Sequence, residues 1–185
     1  MDNKTKILNA ALKLFITEGF DGTSTAKIAK EAGVSNGTLF HHFKTKEALI
    51  GKLYVAIKAD YKNYLAEHMT QSDTIKGRIK QLWYSCVQWY MLNADGIKFF
   101  SMFLSSPHID SLTKEEVSRN FDFISELFQE AIDSEIIIDI NPDLIMHYYS
   151  SSVRAFANFI TENPDQLEAY SDIAFQMWWR SVVNI

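Results

Sequence analysis

Apolar positions in the first fifty residues repeat at helical spacing. Ile7, Ala10, Ala11, Leu14 and Phe15 stand at i, i+3, i+4, i+7 and i+8, one stripe on a helix that Gly19 stops. A second short helix is predicted from Ser24, whose hydroxyl can cap free backbone N–H groups. It runs through AKIAKEA to Gly33, with Ile28, Ala29 and Ala32 turned inward. Gly33 falls where a turn demands positive φ, Val34 anchors that turn in the core, and Ser35 caps a third helix, NGTLFHHF. Two short helices crossing steeply need a small residue at closest approach, a glycine four residues later and an aliphatic residue six beyond that. Ala29, Gly33 and Leu39 supply the set.

The rest of the chain keeps the helical period. Residues 46–68 put Leu49, Leu53, Ile57, Tyr61 and Leu65 on one stripe and join the two parts without a flexible linker. A fifth helix over about 74–93 turns Ile75, Ile79, Leu82, Trp83, Cys86 and Tyr90 inward, and a sixth carries IKFFSMFL before Pro107. A seventh from Thr113 aligns Val117, Phe121, Ile124, Phe128 and Ala131. Asn141-Pro142 opens an eighth, and a ninth runs from about Asp165. The expected class is all-α, with about nine helices and no internal repeat.

Composition agrees: 3 Pro and 7 Gly among 185 residues argue against a turn-rich sheet protein, and 47% hydrophobic content excludes a disordered chain. Cys86 is the single cysteine and cannot form an internal disulfide. The opening MDNKTKILNAALKLF carries scattered charge and reads as neither signal peptide nor membrane span, so a cytoplasmic location without membrane association is expected. No Gly-rich phosphate loop, HExxH or GxSxG occurs, so no enzyme is expected and no cofactor is called for. The net charge of -5 hides two halves of opposite sign. Residues 1–58 hold nine lysines against five acids, a net of +4, and residues 59–185 nine basic residues against eighteen acids, a net of -9.

The stretch ILNAALKLFITEGFDGTSTAKIAKEAGVSNGTLFHHFKTKEALI resembles the TetR family of bacterial regulators over about residues 5–50, with Phe40 where the family often has tyrosine. Lys27 departs from the pattern, standing where many members carry an acid that completes a capping box. The resemblance implies a helix-turn-helix DNA-binding domain over 1–46 and a helical effector-binding and dimerisation domain over 47–185. The short third helix is then expected in the major groove of a double-stranded operator, with Asn36, Gly37, Thr38, Phe40, His41 and His42 on or beside its free face. Asn36 can pair with an adenine edge, Gly37 lets backbone approach closely, and Thr38 offers a hydroxyl and a methyl. Thr25, Ser35, His42, Lys44 and Lys46 suit phosphates, Thr25 and Lys46 near helix N-termini that attract anions. Leu39 and Phe43 read as core. Phe40 reads either as packing on the first helix or as touching thymine methyls or sugar. Adjacent His41 and His42 point about 100° apart with no third ligand nearby, so no metal is expected.

In the second part the aromatics read singly as core, but the resemblance implies an effector pocket among them. Trp83, Cys86, Tyr90, Phe99, Phe103, Phe121, Ile124, Phe128, Tyr148, Ser152 and Phe156 are the candidate lining, and the absence of acids on these stripes points to a mostly apolar ligand. The last two helices carry a surplus of apolar and small residues, Ser152, Ala155, Phe159, Ala174, Met177, Trp178 and Ser181. The resemblance implies that they pair with their copies in a homodimer. Arg154 lies on a separate polar stripe and could hold a ligand carboxylate. The functional expectation is a DNA-binding repressor released by a small-molecule effector. The alternative keeps DNA binding but makes the signal a protein partner or oxidation of Cys86.

Overall fold

A computed structural model describes residues 2–69, 72–108 and 122–184. The described helices are α1 (Asn3–Gly22), α2 (Thr25–Glu31), α3 (Asn36–His42), α4 (Lys46–His68), α5 (Ile75–Leu92), α6 (Ala94–Leu104), α7 (Asp122–Asp133), α8 (Pro142–Glu162) and α9 (Leu167–Val182). A 3₁₀ turn, Pro164–Gln166, separates the last two. The expected all-α class is therefore observed. Thr113, Val117 and Phe121 of the expected seventh helix lie outside the described residues.

Short-range chemistry explains where the N-terminal helices start and stop. Asp2 accepts from the Thr5 amide at 2.8 Å and opens α1. Helical dihedrals break at Gly19 (φ 78°, ψ 169°), a left-handed position that a side chain would strain. Buried Thr23 then donates its hydroxyl to the Gly19 carbonyl at 2.8 Å, satisfying an oxygen that the break would orphan. Ser24 and Ser35 accept from the Lys27 and Thr38 amides and cap α2 and α3. Gly33 takes φ 67°, and a 3.0 Å bond from the Val34 amide to the Ala29 carbonyl closes the turn. Lys27, lacking the acid of a capping box, instead pairs with Glu18, and Lys13 pairs with Glu31 at 2.7 Å, so two cross-helix ion pairs join α1 to α2.

The described helices fall into two compact units. One gathers α1, α2, α3, α4 as far as Asp60, and α6; the other gathers α4 from Tyr61, α5, α7, α8 and α9. This partition cuts the chain differently from a boundary at residue 46, because α6 packs on α1. Phe99 meets Phe15 and Phe20 at ring separations of 6.4 and 5.7 Å, and Phe103 stacks on Tyr54 at 4.5 Å. Ile7, Ile28, Leu39, Leu49 and Ile50 complete that core, all with no exposed surface.

The second unit is built on aromatics. Trp83 of α5, Phe128 of α7, Tyr149 of α8 and Phe175 and Trp178 of α9 contact one another mostly edge to face, the arrangement that aromatic quadrupoles favour. Asn141 caps α8 through the Asp143 and Leu144 amides, with Pro142 in the first turn where its missing N–H costs nothing. The exit of α9 is fastened by two backbone bonds. Ile138 donates to Val182 at 2.9 Å and Asn184 to Ile136 at 3.0 Å, flanking an antiparallel bridge between Ile137 and Val183. Among the described residues no helix is long and apolar enough to cross a membrane.

Candidate nucleic-acid interface and apolar cavity

In the first unit α3 turns Leu39 fully into the core, with Phe43 buried at its C-cap. Asn36, Gly37, Phe40, His41 and His42 stay exposed. Phe40 is 43% exposed, which sets it on the outer face. Thr38 is half-buried and its hydroxyl lies 2.9 Å from that of Ser35, so the Ser35 side chain is engaged at the start of α3. Thr25 opens α2 and Lys46 opens α4, both half-buried, while Lys44 is exposed between α3 and α4. Thr45 accepts from the Ala48 amide at 3.0 Å, leaving Lys46 in the first turn, where the helix dipole adds to its own charge. The ten DNA-binding candidates thus gather on and around α2, α3 and the start of α4. The His41 and His42 rings stand 5.5 Å apart and cross at 78°. No three His, Cys, Asp or Glu side chains converge for a metal among the described residues.

Gly37 has no structural necessity inside the protein. Its φ is not left-handed, and a Cβ there would meet only the Ser35 hydroxyl at 3.7 Å, an ordinary contact. A glycine weakens a helix, and nothing within this unit requires one at this position.

The second unit holds a cavity of about 190 Å³ walled by Tyr61, Cys86, Tyr90, Ile124, Met146, Tyr149, Ser150 and Val153. Of the candidate lining residues it includes Cys86, Tyr90 and Ile124. Phe99 and Phe103 belong to the first unit and its core, Phe128 is fully buried against Tyr149 and Trp178, and Phe121 lies outside the described residues. Trp83, Tyr148, Ser152 and Phe156 line a different, more open pocket of about 370 Å³ with Ala155, Ala174, Met177 and Trp178. Tyr61, Met146, Tyr149, Ser150 and Val153 were missing from the sequence expectation. The signal lay in the stripe Ile145, Tyr149, Val153, Ala157 and Ile160, the buried face of α8. Tyr148 and Ser152 belong to the neighbouring face.

The cavity wall is almost wholly uncharged. Tyr61 donates its hydroxyl to the Cys86 sulfur at 2.9 Å. Burial pushes the thiol up to about 12, with the nearby Tyr61 and Tyr149 hydroxyls working against that rise. Burial likewise lifts Tyr90 to about 12, and Tyr61 and Tyr149 well above their ordinary value, so all four groups hold their protons at neutral pH. Arg154 is not in the wall; its guanidinium reaches the Ser151 hydroxyl at 3.4 Å.

The open pocket sits on a broader apolar face. Leu144, Tyr148 and Phe159 of α8 and Tyr170, Ile173 and Met177 of α9 are exposed, Met177 to 71%. Tyr148 meets Ser181 at 3.0 Å toward one end of this helix pair, and Phe159 meets Tyr170 edge to face at 6.1 Å toward the other. Trp178, expected on this face, is buried beneath it, while Ser152 and Ala174 are half-buried and Ala155, Phe159 and Ser181 exposed.

Residues 7–53 match the family described as bacterial regulatory proteins, tetR family. The HTH-type transcriptional regulator UidR of Escherichia coli K12 is 51% identical over 47 residues, 25% of this chain and 24% of UidR, so the match spans about a quarter of that relative's length. The HTH-type transcriptional regulator QacR of Staphylococcus aureus is 26% identical over 133 residues, 70% of this chain and 71% of QacR. Similarity to a crystal structure from Shewanella sp. PV-4, described as a tetR family transcription regulator, covers 99% of both chains with a TM-score of 0.91 and 29% identity. The helix-turn-helix geometry, the matched segment and the whole-chain likeness coincide: residues 7–53 match the tetR family of bacterial regulatory proteins, and the chain as a whole is similar to a structure described as a tetR family transcription regulator.

Proposed function

We propose that the chain is a sequence-specific transcriptional repressor, a regulator and not an enzyme, which binds a double-stranded operator as a homodimer and leaves it when a mostly apolar small molecule is bound. The observation that carries the reading is the free face of α3, where Asn36, Phe40, His41 and His42 are exposed around a glycine that the fold itself does not require. In this reading Asn36, Gly37 and Thr38 read base edges, and Thr25, Ser35, Lys44 and Lys46 engage phosphates. Residues 1–46 serve DNA, residues 47–185 serve effector and partner copy, and such a target places the protein in the cytoplasm. The exposed apolar stripes of α8 and α9 are what a second copy would cover.

Release needs only modest energy. Moving a two-state equilibrium from about 1:99 to 99:1 takes roughly 5.5 kcal/mol of differential affinity. Small ligands reach up to about 1.5 kcal/mol per heavy atom, so a molecule filling the cavity can supply it. Oxidation of Cys86 is a poorer signal, because a buried, protonated thiol lacks the reactive thiolate. The test is fluorescence anisotropy with DNA from beside the gene and with random DNA, across a salt series. Binding should weaken with salt, because releasing counterions into a saltier solution is less favourable; Thr38→Ala should weaken specific binding only, and Lys46→Ala both. Unchanged affinities for both variants at matched salt would sink the assignment.

A further inference from the structure

The 190 Å³ cavity of the second unit is defined by what its wall withholds. Tyr61, Cys86, Tyr90, Tyr149 and Ser150 each own a hydroxyl or a thiol, yet almost none of the surface turned to the cavity is polar. Four of these groups are engaged within the wall itself. The Tyr61 hydroxyl donates to the Cys86 sulfur at 2.9 Å, the buried Tyr149 hydroxyl lies against the same thiol, and Ser150 donates to the His147 carbonyl at 3.1 Å. No carboxylate, ammonium, guanidinium or imidazole lines the cavity. A ligand hydroxyl, carbonyl or charge would therefore leave water for a surface that offers it nothing, whereas every buried CH group is a gain.

Size and lining narrow the class further. A cavity of about 150 Å³ with an aliphatic and aromatic lining stays dry and binds benzene, so this one holds a single ring with a short alkyl group. Three tyrosine rings, the Met146 thioether and the Cys86 sulfur supply the edges, faces and polarizable atoms that suit an arene. Resting on the effector reading above, we infer that this cavity takes an alkylbenzene, a neutral aromatic hydrocarbon held by shape and dispersion without a hydrogen bond to the protein, and rejects the hydroxylated form of the same molecule. The signal is then the unoxidised hydrocarbon, distinguished from its phenol or benzyl alcohol by what the wall lacks.

The test uses the full chain, with calorimetric titration for binding and anisotropy on DNA from beside the gene for release. Toluene and phenol have the same shape, so exchanging methyl for hydroxyl isolates polarity. Toluene should bind roughly five- to 150-fold more tightly, the penalty for burying a hydroxyl without a partner. A preference smaller than fivefold, or a reversed one, overturns the hydrocarbon class, as does tighter binding of benzoate or benzylamine than of toluene. Methylcyclohexane, after correction for its partition into hexadecane, should bind roughly two- to tenfold more weakly than toluene, and equal or tighter binding overturns the aromatic part. Val153→Ala, which widens the cavity at its α8 wall, should move the preference from toluene toward butylbenzene, and Val153→Phe, which fills it, should abolish toluene binding. Toluene binding unchanged by either substitution places the ligand elsewhere and overturns the assignment. The two readouts separate the inference from the reading beneath it. Toluene that binds without loosening the operator complex refutes the effector reading and supports the ligand class; phenol that loosens the complex better than toluene refutes the class and supports the effector reading.

Discussion

Replacing Gly37 by alanine should make the protein more stable and a worse DNA binder at once. The backbone at 37 is not left-handed, and the new Cβ would stand 3.7 Å from the Ser35 hydroxyl, so nothing inside the protein resists it. Glycine costs a helix about 0.5–1 kcal/mol relative to alanine, and the low end applies because Gly37 stands in the first turn of α3. For a chain of this size about 0.5 kcal/mol corresponds to a rise of roughly 1–2 °C in Tm. Against DNA the sign reverses. A methyl placed where backbone meets the groove crowds a packed contact at about 1–3 kcal/mol, which is roughly five- to 150-fold in affinity. Thermal denaturation and anisotropy on operator DNA at fixed salt give both numbers from one preparation. A lower Tm would show that the glycine has an internal packing role. Unimpaired operator binding would show that α3 does not meet DNA at this residue, and either result breaks the reasoning.

Four further outcomes concern the second unit. Cys86 should react with a thiol reagent at pH 8 roughly a thousandfold more slowly in the folded protein than in urea, because raising its pKa from 9.0 to about 12 removes that much thiolate. The raised folded pKa leaves stability intact below pH 9 and erodes it as pH climbs toward 12, by on the order of 1 kcal/mol at pH 10. Urea melts of Cys86→Ser should lack that increment, and an identical alkaline loss in both proteins would refute it. Met177→Asp or Ala174→Asp should yield a monomer in sedimentation and abolish operator binding with it; a monomer that binds tightly contradicts the proposed interface. Phe128→Ala should cost about 3–5 kcal/mol in urea melts, as expected for a residue with no exposed surface, whereas a loss under 1 kcal/mol would show that its site collapses or was never packed.

What could be read from the sequence was whatever depends on neighbours a few residues away. Gly19, Gly33, Ser24, Ser35 and Asn141 stop, turn or cap helices through bonds spanning two to five residues, so their roles are written in local spacing. Lys27 shows the reach of spacing alone: it marks the missing acid of a capping box, but the partner that the lysine finds, Glu18, lies nine residues earlier in a contact no local pattern contains. The cavity was harder still. An inward stripe says that Phe99 and Phe103 are buried but not against what, and their partners, Phe15, Phe20 and Tyr54, lie 49 to 84 residues away. Tyr148 and Tyr149 are adjacent, equally apolar in pattern, and about 100° apart on α8; only the packing of α5 and α9 decides which one turns inward.

The uneven placement of the indoles has a practical consequence. All four tryptophans, Trp83, Trp89, Trp178 and Trp179, belong to the second unit, and the first contains none. Light at 295 nm therefore excites that unit alone. Trp89 sits 4.5 Å from the ring of Tyr61, itself part of the cavity wall, so a molecule entering there perturbs an emitter one ring away. Events at α3 have no indole in their own unit to report them. An unlabelled sample can thus display ligand occupancy in its own emission, while DNA occupancy has to be followed from a dye on the DNA, and the two signals can be recorded in one cuvette without overlap.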